Sequence, residues 1–170
     1  IALDFSQEML NIHPSGKKVK KVCADFNLAK TFDMFAVDQN GIVFSSSALQ
    51  WSRDLDLVFS KLSQKVSKAH FAIFTSSTFK TLHALANISS PIYSEGDLKE
   101  VINRYYQATF ETRKYSLHFD SVRDMFRYIK KSGVSGGEKK LSYKQIKHLM
   151  KVYPLDYLEF EVLFVKADSL

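Results

Sequence analysis

The apolar positions of this chain alternate between two rhythms. Short runs, IALD at 1–4, VCADF at 22–26, GIVF at 41–44 and HFAIF at 70–74, read as strands. Helical spacing follows Ser6, which can cap a helix starting near Gln7. It returns in LDLVFSKLSQKV, with apolar residues at 55, 57, 58, 62 and 66. TFDMFAV, 31–37, fits either a connecting helix or an extended piece, and DQNG is a turn signal in which Gly41 can take positive φ. GIVFSSS predicts a buried strand, since strands covered on both faces read as continuous apolar runs. The order strand, helix, strand, linker, strand, helix, strand predicts an α/β domain with a parallel sheet.

Past Phe79 the rhythm changes. Residues 79–110 read as mostly helical, with a break at SSPIYSEGD, and are expected to form a lid. FETRKYSLHF alternates and predicts a strand. SVRDMFRYIKKSG predicts a helix capped by Ser121 and ended by Gly133 after two lysines. GVSGGEKK predicts a loop, LSYKQIKHLMKVY an amphipathic helix stopped by Pro154, and YLEFEVLFVKA a long last strand. There is no internal repeat, and one domain is expected over residues 1–170.

Composition narrows the function classes. At 45% hydrophobic and 25% charged residues the chain is ordinary for a globular protein. No apolar run approaches the roughly 20 residues of a membrane helix, so no membrane partner is expected. The single Cys23 excludes an internal disulfide framework and fits a reducing, cytoplasmic compartment. Net charge is +6, and residues 111–151 carry eleven basic against four acidic residues. That segment is either a solvated face or a surface for an acidic partner. No nucleic-acid motif accompanies it, and nucleic acid is not expected as a partner.

The five histidines lack metal-ligand spacing, and no GxSxG elbow surrounds any serine. GxGxG, P-loop and HExxH motifs are absent from 1–170. Asp4 and Asp25 each close an apolar run, where a carboxylate can accept ribose hydroxyls or an adenine amino group, or merely cap a turn.

Taken together, IALDFSQEML, CADFN and IVFSSSALQW resemble class I S-adenosylmethionine-dependent methyltransferases. The resemblance implies an α/β, Rossmann-like sheet closed by a carboxyl-terminal antiparallel strand pair, supplied by FETRKYSLHF and YLEFEVLFVKA. It implies S-adenosylmethionine as cofactor, with no metal. Asp4 would hold the ribose, Asp25 would lie near the adenine between Phe5 and Phe26, and Ser45 would stand toward the cofactor. More narrowly, SSSALQW resembles the S-N-x-A-L-Q-W signature of the BioC-type malonyl-acyl carrier protein O-methyltransferases of biotin synthesis. SVRDMFRYIKKSGVSGG and the segments after it resemble that family's tail.

Two departures stand out. Gly41 replaces an Asp common at the start of the fourth strand of that family. The family's first strand and Gly-rich loop are expected upstream of Ile1, in roughly 50 to 60 further residues, the size of a strand–helix unit plus a leading segment. With that unit missing, two sheet edges should be unpaired and apolar faces opened.

The resemblance also implies the chemistry. A carboxylate is already ionised at neutral pH, so attack on a sulfonium methyl needs no catalytic base, only orientation and exclusion of water. Neutral donors would hold the acceptor: Ser46, Ser47, the Gln50 amide and the Trp51 indole N–H, with Gln50 and Trp51 on the malonyl carboxylate. Trp51 could instead be plain core, with Leu49 beneath it. Arg123, Arg127, Lys130 and Lys131 would dock the acidic acyl carrier protein. Two rival functions are a same-fold methyltransferase with another small acceptor and a non-catalytic α/β binding module.

Overall fold

The computed structural model describes residues 1–132 and 141–170. The chain runs β1 (Ala2–Asp4), α1 (Gln7–Ile12), β2 (Lys21–Cys23), α2 (Ala29–Asp33) and β3 (Ile42–Ser46). A 3-10 turn (Leu49–Trp51), α3 (Leu55–Ser63), β4 (Lys68–Phe74), α4 (Lys80–Ala86) and α5 (Glu95–Asn103) follow. β5 (Tyr106–His118), α6 (Val122–Ser132), α7 (Tyr143–Val152) and β6 (Tyr157–Ser169) complete it. Ser6, Asp54, Ser94 and Ser142 accept backbone N–H bonds as N-caps of α1, α3, α5 and α7. The expected cap Ser121 accepts the Asp124 N–H at 3.1 Å, whereas Gly133 and the GVSGGEKK loop lie outside the described residues.

β1 and β2 pair in parallel. The other strands form a sheet in the order β3-β4-β6-β5, parallel between β3 and β4 and antiparallel on both sides of β6. The expected carboxyl-terminal antiparallel pair is therefore present, and the sheet is mixed rather than wholly parallel. Among the described residues, β1 and β3 each keep one edge without a strand partner, as the sequence led us to expect.

Alternation sends every second side chain of a strand to one face. On one face of the larger sheet, Phe71, Ile73, Leu163 and Val165 pack under Val58 and Phe59 of α3 and Leu98 and Ile102 of α5. A second cluster joins Phe79, Leu82 of α4, Met125 and Ile129 of α6, Leu149 of α7 and Leu158. β3 corrects the expectation of a buried strand: Val43 meets the main core, but Ile42 and Phe44 are 49% and 73% exposed. Phe44 stacks on His70 at 5.1 Å, and their face of the sheet is open.

Gly41 closes the 38–41 turn with its N–H on the Asp38 carbonyl at 2.9 Å. Its backbone is not left-handed; what it supplies is room, since a Cβ there would sit 3.0 Å from the Asp38 carbonyl oxygen. The 79–110 segment, expected to be a lid, holds α4, α5 and the start of β5. Leu98 and Ile102 of α5 are wholly buried in the main core, and Leu82 of α4 is buried in the second cluster. Among the described residues no helix is long and apolar enough to cross a membrane.

Leu163 is fully buried at the centre of the sheet. Leu163→Ala is expected to cost about 2–5 kcal/mol, read from urea unfolding midpoints. A loss within about 0.5 kcal/mol would show that this cluster is not the core.

Candidate functional site

The parallel pairs β1–β2 and β3–β4 bring polar residues to the carboxyl ends of their strands, the position at which open α/β sheets bind ligands. Asp4 ends β1 and its Oδ1 accepts the Ser6 N–H at 2.8 Å. Asp25 lies two residues beyond β2, in a turn rather than on the strand. Its Oδ1 accepts both the backbone and the side-chain N–H of Asn27, each at 2.9 Å. Both carboxylates are half-buried, and Oδ2 of each carries no hydrogen bond from the described residues.

Asn27 joins two loops. Its Oδ1 accepts the Arg53 N–H at 2.8 Å, which ties the turn after β2 to the segment after β3. Phe26 packs against the main core, while Phe5 is 73% exposed and its carbonyl accepts the Cys23 thiol at 3.4 Å.

The segment after β3 is held in an unusual shape. Ser47 donates its N–H to Ala72 at 2.9 Å and takes φ 57°, a left-handed backbone that costs a non-glycine residue about 1–2 kcal/mol. The 3-10 turn that follows sends Leu49 into the core and leaves Trp51 38% exposed on the rim, so Trp51 is not plain core. Gln50 is buried to 4% exposure, and its Oε1 has no hydrogen-bond partner. Ser45 is half-buried, and Ser46 and Ser47 are exposed. Tyr93 braces this segment from outside: its hydroxyl donates to the Ser52 carbonyl at 2.9 Å, and its own carbonyl accepts the Ser76 N–H at 2.8 Å. Burial, and then the charges of Asp54 and Asp97, push the Tyr93 hydroxyl up, so it stays a neutral donor.

The structure thus places Asp4 at the end of β1, Asp25 just past β2 and residues 45–51 at and beyond the end of β3, with the Asn27–Arg53 bond joining the last two segments. It places Arg123, Arg127, Lys130 and Lys131 elsewhere, all exposed on α6, with Arg127 paired to Asp124. Asn27 and Tyr93 escaped the sequence reading. Asn two residues after Asp is a turn signal that could have pointed to the first, whereas nothing around SSPIY marks the second. Among the described residues no group of three or more His, Cys, Asp or Glu is placed to hold a metal.

This architecture has close counterparts of known structure. The YcgJ protein of Bacillus subtilis superposes with a TM-score of 0.66 at 9% identity, over 99% of this chain and 81% of its own. A SAM-dependent methyltransferase from Archaeoglobus fulgidus gives 0.52 at 11% identity, over 98% and 74%. At such identities the likeness is one of fold, and the fold is that of the class I methyltransferases. In sequence, the chain is similar to the malonyl-[acyl-carrier protein] O-methyltransferase of Calditerrivibrio nitroreducens, 25% identical over 120 residues. Those residues are 68% of this chain and 45% of that protein, so the chain spans less than half of its relative's length. No family model matches.

A buried amide oxygen without a donor costs about 1–3 kcal/mol. Gln50→Met, similar in volume, is therefore expected to raise the urea midpoint of the ligand-free protein. A variant less stable than the parent would show that the Gln50 amide is satisfied by the protein itself.

Proposed function

We propose that this chain is part of an S-adenosylmethionine-dependent carboxyl O-methyltransferase whose acceptor is the malonyl group on acyl carrier protein. The observation that carries the reading is the Gln50 amide, buried on the strand-end rim without a protein partner for its oxygen. Evolution of a soluble fold seldom leaves such a group idle, and a ligand is the natural partner. The sequence similarity to the Calditerrivibrio enzyme supports the acceptor.

The residues present fit the adenosine end of the cofactor. Asp4 and Asp25 each offer a free carboxylate oxygen to ribose hydroxyls or an amino group. When bound, S-adenosylmethionine supplies an electrophilic methyl group. No glycine-rich loop for its methionine end occurs within 1–170.

The acceptor needs no deprotonation, because its carboxylate is ionised at neutral pH. Gln50, Trp51, Ser46 and Ser47 orient it with neutral donors, which lower its nucleophilicity less than a cation would. A half-turn of the Gln50 amide exchanges its donor and acceptor ends within the same volume, so it can meet a carboxylate as it stands. Arg123, Lys130 and Lys131 form the core of the docking face for the acidic carrier, with Arg127 shared with Asp124. The lone, exposed Cys23 suits a reducing cytoplasmic setting.

The test is transfer of labelled methyl from S-adenosylmethionine to malonyl-acyl carrier protein by the full-length protein. Transfer is expected, and Trp51→Phe should lower kcat/KM by about tenfold through loss of one charge-assisted hydrogen bond. Raising salt from about 50 to 200 mM should raise KM, because rim charges act through long-range attraction. No transfer to malonyl-acyl carrier protein, with transfer to another small acid, would reassign the acceptor. A salt-independent KM would remove the basic face from docking.

A further inference from the structure

The 3-10 turn that carries Gln50 and Trp51 runs out into one peptide group, the link between Ser52 and Arg53. The carbonyl of that group accepts the Tyr93 hydroxyl at 2.9 Å, and its N–H donates to Asn27 Oδ1 at 2.8 Å. A peptide group is planar and trans, so its N–H and C=O point to opposite sides. Two side chains from distant parts of the chain therefore grip it from both sides and fix its rotation. Just beyond, Asp54 caps α3 through the Leu57 N–H at 2.9 Å. Within the turn, Trp51 and Ser52 donate their N–H groups to the Ala48 and Leu49 carbonyls at 3.1 and 3.0 Å. The gripped peptide thus sets where the turn lies.

The two grips differ in what stands behind them. Tyr93 packs against the main core, and its carbonyl accepts the Ser76 N–H at 2.8 Å, so it is a fixed post. Asn27 leads elsewhere, because its backbone N–H and its Nδ2 both donate to Asp25 Oδ1 at 2.9 Å. Only one orientation of the Asn27 amide serves both neighbours: the Arg53 N–H needs an acceptor, and the Asp25 carboxylate needs a donor. The backbone of this turn is itself anchored. The Asp25 carbonyl accepts the Leu28 N–H at 3.1 Å and the Thr31 hydroxyl at 2.5 Å, and Thr31 is buried. The carboxylate, by contrast, is held through Oδ1 alone, and a ligand donor on Oδ2 would hold it from both sides.

We propose that Asn27 is a positioning residue that couples the cofactor end of the site to the acceptor turn. A donor from the cofactor on Asp25 Oδ2 fixes the carboxylate, the carboxylate fixes the Asn27 amide, and the amide fixes the Ser52–Arg53 peptide. Cofactor binding then quiets the turn that carries Gln50 and Trp51 without relocating it, which is coupling through lost motion. By linkage, an acceptor held on that turn tightens the cofactor by the same factor. The proposal rests on the methyltransferase reading for what binds at Asp25 and goes beyond it in naming how that binding reaches the acceptor.

The experiment follows amide exchange of Trp51, Ser52 and Arg53 by NMR in the full-length protein, free and saturated with S-adenosylhomocysteine, with saturation established by calorimetry. In the parent, saturation is expected to slow Arg53 exchange about fivefold, the worth of one secured hydrogen bond. Asn27→Ala removes both side-chain bonds, and Asn27→Asp keeps an acceptor for Arg53 but loses the donor to Asp25. Each should bring that ratio to about one. Asn27→Asp, nearly isosteric, keeps the test open should Asn27→Ala fail to fold. Tyr93→Phe should speed exchange with and without ligand alike and leave the ratio as in the parent, which is how a merely structural prop behaves. Ligand that binds the parent without slowing 51–53 would overturn the coupling and keep the methyltransferase reading. Slowing that survives in either Asn27 variant would route the coupling elsewhere and overturn it equally. Absence of binding to the parent would remove that reading and the proposal with it.

Discussion

The position of β6 is the constraint on which the rest depends. This last strand lies antiparallel between β4 and β5 and pairs with all seven residues of β4, from Lys68 opposite Asp168 to Phe74 opposite Val162. A slip of one residue would turn Leu163, Val165 and Ala167 out of the core and Val162 and Phe164 into it. The register is locked at the strand end. Thr75 donates its N–H to the Glu161 carbonyl at 3.0 Å and its hydroxyl to the Glu161 carboxylate at 2.6 Å, and the Thr78 hydroxyl donates to the Glu161 carbonyl at 3.2 Å. Lys114, 3.6 Å from the same carboxylate, offsets part of the cost of burying it.

From that lock the rim follows. With the end of β4 fixed, Ser76 reaches the Tyr93 carbonyl and Tyr93 reaches Ser52, so the segment after β3 is braced on its outer side. Ala72 of β4 also holds Ser47 in its left-handed turn. Strain at Ser47 and an unpaired oxygen at Gln50 are both costs that packing does not explain. Backbone strain of this kind persists where surrounding structure over-determines it, commonly at ligand sites. Both departures fall within four residues, at 47–50, the segment we propose for binding.

Much of this was legible in the sequence. The rhythm of apolar runs located the strands, because each needs one face inside the sheet, and caps such as Ser6 and Ser121 announced helices locally. The antiparallel pairing of the last two strands followed only from family resemblance, since nothing in FETRKYSLHF or YLEFEVLFVKA names its partner. GIVF misled: a run apolar on both sides reads as doubly buried, yet Phe44 is open on one face because nothing among the described residues packs there. Residues 106–109, read as helical, extend β5 because they pair with 166–169 at the far end of the chain. At the site, SSSALQW stood out by composition, but only the fold shows that the shorter Gln50 points inward and the larger Trp51 outward. The 3-10 turn decides that inversion, and hydrophobicity alone would order the two the other way.

We propose that the strand ends carrying Asp4 and Asp25 hold the adenosine end of the cofactor. Calorimetric titration of S-adenosylhomocysteine into the full-length protein and into its Asp4→Asn variant tests it most directly. One-to-one binding to the parent protein is expected, with at least about tenfold weaker binding to the variant, since a hydrogen bond to a carboxylate is worth about 1.5–3 kcal/mol. No binding to the parent, or equal binding to both, would contradict it.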